Sequence, residues 1–156
     1  MASLKALLSF SYYMILIYVK YLPGDIFTNN FSSGISEVIA CITAGYIYSR
    51  IGMKPAFTIC MTVTAIGGLL IMILGENKAL MPFFVILVKF GVASGFCISY
   101  IADKDVFPMP IRSTALGIIT LSGGLLAIFS GLVAETKAPL PMLLLTSLNA
   151  VGIIIV

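Results

Sequence analysis

Glu37 and Lys89 each stand eight residues inside a long apolar run, and Asp105, Pro108, Arg112 and Gly117 form a tight acidic, proline and basic cluster after another run. An ionisable group in the middle of an apolar stretch of about 20 residues costs on the order of 3 kcal/mol, so it is paired inside a helical bundle or faces a polar pathway. If the runs are helices entering from the same face, a rise of about 1.5 Å per residue puts Glu37 and Lys89 at the same depth, about 12 Å down. Equal depth and opposite sign predict an intramembrane ion pair. Such a pair either locks two helices together or lines a cavity where it responds to a charged solute or a proton.

Aromatic residues gather near these charges, at Phe10, Tyr12, Tyr13, Tyr18 and Tyr21 early in the chain and at Phe90, Phe96 and Tyr100 beyond Lys89. Tyr18 and Tyr21 read as interfacial anchors. Tyr12 and Tyr13 lie deeper, and Phe96 and Tyr100 share a helix face at i, i+4 spacing. Their hydroxyls and ring faces suit an organic ion held by hydrogen bonds or cation–π attraction.

Covalent chemistry is not expected. The chain has no histidine, and Cys41, Cys60 and Cys97 sit in separate apolar runs without the close spacing of a metal site or a disulfide framework, so they read as small buried hydrophobes. No nucleophile and base, cofactor loop or nucleotide-binding loop can be assembled, so the reading is of a protein that is not an enzyme, with no cofactor and no metal.

These residues must be positioned by membrane-spanning elements. Of the 156 residues, 60% are hydrophobic and 10% charged, and the mean hydropathy is +1.15, which leaves too little polar surface to coat a globule. The net charge of +3 is scattered over short loops, with no basic run interleaved with aromatics, which excludes nucleic acid as a partner. Six runs, 6–22, 29–49, 56–74, 81–102, 113–133 and 139–156, are each long enough to cross a bilayer. Period-2 alternation is absent, so a barrel is excluded. The reading is an all-α, multi-pass membrane protein with a single six-helix domain over residues 1–156.

Breaks at Pro23-Gly24-Asp25, at residues 50–55 and at Gly75-Glu76-Asn77-Lys78 are short, so neighbouring helices run antiparallel. With a cytoplasmic N-terminus, Lys5, Arg50, Lys54, Lys104 and Arg112 fall inside and Lys20, Lys78 and Lys137 outside, so the positive-inside rule puts both ends in the cytoplasm. Glycines at 67–68, 91, 95 and 123–124 predict close helix approach or bending.

Residues 45–54 (GYIYSRIGMK) resemble the loop signature G-x-x-x-D-R-x-G-R-R of the major facilitator superfamily, with Ser49 in place of the acid and Met53 in place of a base. Lys89-Phe90-Gly91, Phe96, Tyr100, Asp105, Pro108, Arg112 and Gly117 resemble K-F-G-x4-F-x3-Y-x4-E-x2-P-x3-R-x4-G of its organic cation and anion transporters. Tyr12-Tyr13, Gly24, Asn29, Ser33-Gly34 and Glu37 are similar to the same family's seventh and eighth helices. The resemblance implies the C-terminal six-helix half of a twelve-helix carrier, built as two inverted three-helix repeats. It further implies that Tyr12, Tyr13, Phe96 and Tyr100 line a substrate cavity and that Arg50, Lys54, Asp105 and Arg112 gate the conformational change. Positions matching Cys41 and Gly124 are charged in relatives of known preference and uncharged here, so the sign of the solute stays open.

A half-transporter supplies one wall of a pathway, so the expected partners are the lipid bilayer, a small organic solute and a second six-helix half in the same chain, another copy or a partner subunit. The last run is still hydrophobic at Val156, which reads as a cut or embedded end, whereas Met1-Ala2-Ser3 before Lys5 reads as a natural start. Transport of a small organic solute is the leading expectation. A non-transporting structural subunit of a membrane complex is the alternative.

Overall fold

In a computed structural model of the chain, residues 2–21, 25–74, 80–135 and 140–155 are described. Gly24, Lys78, Lys137 and Val156, used in the sequence reading, lie outside them. The described residues form six helices: α1 (Ala2–Tyr18, continued by a 3-10 turn, Val19–Tyr21), α2 (Ile26–Ile51), α3 (Met53–Leu74), α4 (Met81–Val106), α5 (Met109–Ala134) and α6 (Leu140–Ile155).

Local sequence explains where the helices start and stop. Asp25 caps α2 by accepting from the backbone N–H of Phe27 at 3.3 Å, and prolines occupy the first turns of α4 and α5, where a missing N–H costs nothing. Only Gly52 separates α2 from α3. Its φ of +87° is strained for any residue with a Cβ, and its N–H closes α2 onto the carbonyl of Tyr48 at 3.0 Å. The fourth helix runs four residues past 102, to Val106, and α5 starts at Met109 rather than 113. The physical reason is Arg112: its Nε donates to the carbonyl of Phe107 at 3.2 Å and its Nη2 to that of Lys104 at 2.5 Å, satisfying groups that a helix end leaves open.

The packing repeats itself. The second helix packs on α4 and the fifth on α1, α3 lies on α4 and α6 on α1, and α1 meets α4 and α3 meets α6, with lesser contacts of α2 with α3, α5 with α6 and α4 with α5. Exchanging the first three helices for the last three leaves the main contacts in place. At the centre, Met14 and Ile15 of α1 meet Val85, Val88 and Val92 of α4, while Leu4 and Leu8 join Phe57, Met61 and Ile98. Close approach of α3 and α4 depends on Gly91, since a Cβ there would stand 2.4 Å from the Thr64 hydroxyl and 2.8 Å from the Cys60 carbonyl oxygen.

Three of the helices, over Met53–Ile73, Met81–Val106 and Met109–Ala134, are long and apolar enough to cross a membrane. The sixth is apolar but shorter. The second has the length, but Thr28, Asn29, Asn30, Ser32, Ser33, Ser36 and Glu37 make its N-terminal half polar. These helices and the relationships described below make the chain an integral, multi-pass membrane protein.

One ionic expectation fails. Lys5, expected ahead of the first helix as a topology charge, lies inside it, because α1 begins at Ala2, and is 2% exposed. The reading of Cys41 as a buried hydrophobe fails too, because it is exposed, whereas Cys60 is buried. Cys41 lies one turn from Glu37 on the same side of α2, and both remain partly open although α4 touches each of them.

Candidate functional site

The polar N-terminal half of α2 brings Glu37 against α1 and α4. Lys89 Nζ lies 3.9 Å from Glu37 Oε2, and the phenol of Tyr12 donates to Glu37 Oε1. Lys89 is wholly buried, whereas the Glu37 side chain is 37% exposed, so the carboxylate is the reachable side of the pair. The ammonium makes no hydrogen bond and rests 4.2 Å from the centre of the Tyr12 ring, which stabilises a desolvated cation from its π face.

Around this pair the aromatic rings form a continuous row. Tyr12 stacks on Phe96 with centroids 5.1 Å apart and planes 14° from parallel, while Phe96 meets Tyr100 edge to face at 5.1 Å and Tyr12 meets Tyr13 at 5.5 Å. Tyr13 and Tyr100 are each 40% exposed. On α2, a Cβ added at Gly34 or Gly45 would meet nothing within 4 Å, so the face carrying Glu37 and Cys41 adjoins open space. The structure thus brings Tyr12, Tyr13, Phe96, Tyr100, Glu37 and Lys89 together on one side of α1, α2 and α4.

The four residues expected to gate movement are not one ion-pair network. Asp105 accepts from the Tyr48 phenol, Arg112 is spent on the end of α4, Arg50 sits 5.5 Å from the Tyr46 ring centre, and Lys54 is exposed. With Ser49 in the acidic position of the loop signature, Arg50 lacks the neighbour that would hold it, and an aromatic ring takes its place.

A second ion pair joins α1 to α4. Lys5 Nζ donates to Asp103 Oδ2, both side chains are almost fully enclosed, and the ammonium lies 3.9 Å from the centre of the Tyr100 ring. The aromatic row therefore runs from one buried cation to another, with Tyr100 against Lys5 at one end and Tyr12 against Lys89 at the other. Nothing in sequence spacing links positions 5 and 103. Asn149 was likewise missed: it donates to Ser11 Oγ at 3.2 Å and ties α6 to α1. Among the described residues no cluster of metal-ligating side chains occurs. For non-covalent binding the site offers a partly exposed carboxylate, phenol hydroxyls and ring faces.

No family model matches the chain. It is similar to solute carrier family 22 member 4 of Mus musculus, with 31% identity over an alignment that takes in 95% of this chain and 28% of the relative. Similarity to solute carrier family 22 member 13 of Homo sapiens is 29%, over 92% of this chain and 27% of that protein. A synaptic vesicle 2-related protein of Xenopus laevis is 27% identical over 67% of the chain and 18% of its own length. All three are major facilitator superfamily proteins, and the chain spans about a quarter of the length of the first two.

Proposed function

We propose that this relative of the solute carrier family 22 transporters forms one six-helix wall of a carrier that moves a small organic solute across a membrane by alternating access. The observation that carries the reading is the Glu37–Lys89–Tyr12 group opening onto the row of Tyr13, Phe96 and Tyr100. A partly exposed carboxylate beside ring faces and phenols binds a solute that has both a polar group and an apolar body. All six helices cross the bilayer, the two three-helix units are inverted repeats, and the chain corresponds to the C-terminal half of a twelve-helix carrier. The repeated packing of α1–α3 and α4–α6 supports that arrangement. The other wall is a second six-helix half, and Arg50, Lys54, Asp105 and Arg112 act at the inner ends of the helices as the two walls rock.

The test is uptake by the protein in liposomes, with a labelled quaternary ammonium ion, an aromatic carboxylate and a betaine as probes. Uptake of at least one of them, reduced at least about tenfold by Tyr13→Ala and by Phe96→Ala, is expected if each ring contributes about 1.4 kcal/mol or more to the bound state. A stable stoichiometric complex with another membrane protein, and no uptake, would instead favour the non-transporting subunit.

A further inference from the structure

We infer that Cys41 and Cys97 form an oxidisable thiol pair that closes to a disulfide and staples α2 to α4. The inference goes beyond the transport reading and does not depend on it. The two sulfurs come from different helices, 56 residues apart in sequence, yet lie 3.0 Å from each other. Cys41 is exposed on the open face of α2 that carries Glu37, and Cys97, partly exposed, follows Phe96 of the aromatic row on α4. One sulfur is therefore reachable by a small oxidant, with the second behind it in position to complete the bond.

Closure requires the sulfurs to approach to about 2.05 Å, a shift of about 1 Å, within the reach of side-chain rotation and slight helix adjustment. The backbone between them is already held, because α2 packs closely on α4 and Ser36 donates to the carbonyl of Ile86 at 2.8 Å. The third cysteine is differently placed: Cys60 is 3% exposed and accepts from the Ser94 hydroxyl at 3.2 Å.

The oxidant is hydrogen peroxide, a small neutral molecule able to enter a membrane cleft. The Cys41 thiolate, its proton given to water, attacks one peroxide oxygen. The O–O bond breaks, sulfur is oxidised to the sulfenic acid, and the other oxygen is reduced and leaves as water after taking up a proton. The Cys97 sulfur then attacks the Cys41 sulfur, the S–O bond breaks, and the hydroxyl departs as water with the Cys97 proton. With hydrogen peroxide, two thiols and one peroxide yield one disulfide and two waters.

The experiment treats the folded, membrane-embedded protein with hydrogen peroxide, blocks residual thiols, and maps proteolytic peptides by mass spectrometry with and without reductant. The expected result is a Cys41–Cys97 linked peptide lighter by two hydrogens, lost on reduction, absent in Cys41→Ser and in Cys97→Ser, and retained in Cys60→Ser. Serine is nearly isosteric with cysteine, and circular dichroism of each variant establishes that it is folded. Oxidation of wild type that stops at sulfenic or sulfinic acid, linkage to Cys60, or linkage only between molecules would overturn the inference. Uptake is not among the readouts, so failure here and failure of the transport reading are separately visible.

Discussion

At the scale of single residues the protein is organised by ions that it has removed from water. Lys5 and Asp103 are both enclosed, so each neutralises a charge the other could not carry alone. Substituting Asp103→Asn leaves the Lys5 ammonium buried without a counter-charge and is expected to destabilise by about 3 kcal/mol or more, whereas Lys5→Met with Asp103→Leu should fall within about 1 kcal/mol of the parent. Thermal unfolding in a detergent micelle measures both, and a double variant no better than the single one would show that the two side chains act independently. The Glu37–Lys89 pair differs in kind, because Glu37 is partly exposed while Lys89 is not. There, Glu37→Gln is expected to cost more stability than Glu37→Gln with Lys89→Met, since only the first strands a buried cation. Tyr12→Phe removes the hydrogen bond to Glu37 but keeps the ring under Lys89, so its expected cost in the same assay is about 1–2 kcal/mol.

The helices depend on where glycine sits more than on how much of it there is. Gly91 faces the backbone of α3, and Gly91→Ala forces the two helices apart, with an expected loss of about 1–3 kcal/mol. Gly52 has open space around it, yet its backbone is in a region that a Cβ disfavours, so Gly52→Ala is expected to cost about 1–3 kcal/mol through strain alone. At Gly124 there is neither a close neighbour nor an unusual backbone, and Gly124→Ala should change stability by less than about 0.5 kcal/mol. Unfolding midpoints for the three variants check this order. A Gly91→Ala protein as stable as Gly124→Ala would mean that α3 and α4 are not in close contact. The adjacent Gly67 and Gly68 look alike in sequence but meet different partners, Val88 of α4 and Thr146 of α6, and only packing distinguishes them.

For the whole molecule, six crossings require the α1–α2 turn and the α2–α3 turn to face opposite sides of the bilayer. With Cys41, Cys60 and Cys97 replaced by serine, Asp25→Cys and Lys54→Cys are expected to react with a membrane-impermeant thiol reagent from opposite faces of sealed vesicles. Labelling of both from one face would rule out a crossing by α2. Much of the architecture was legible along the chain. Hydropathy and turn residues are local quantities, so the apolar runs and the break at residues 50–55 could be read directly, as could the family motifs around Lys89 and Tyr12, whereas the proline-led start of α5 was placed four residues late. The aromatic side chains of the candidate site were legible for the same reason, since i, i+4 spacing on one helix needs no knowledge of its neighbours. Long-range partners were not. Lys5 looked like a loop charge because its position in the chain resembles one, and Asp103 offered no local mark of burial. Cys41 and Cys97 appeared unrelated at a separation of 56 residues. Arg112 read as part of a charge cluster, and its bonds to the carbonyls of Lys104 and Phe107 at the end of α4 had no mark in its spacing. Composition and hydropathy determined the solvent and the secondary structure of this chain, since each follows from the free energy of a residue beside its near neighbours, and ordered motifs carried its resemblance to the transporters. Tertiary structure decided which charges meet, which sulfurs face each other and where the rings align, because those depend on how helices distant in sequence settle against one another.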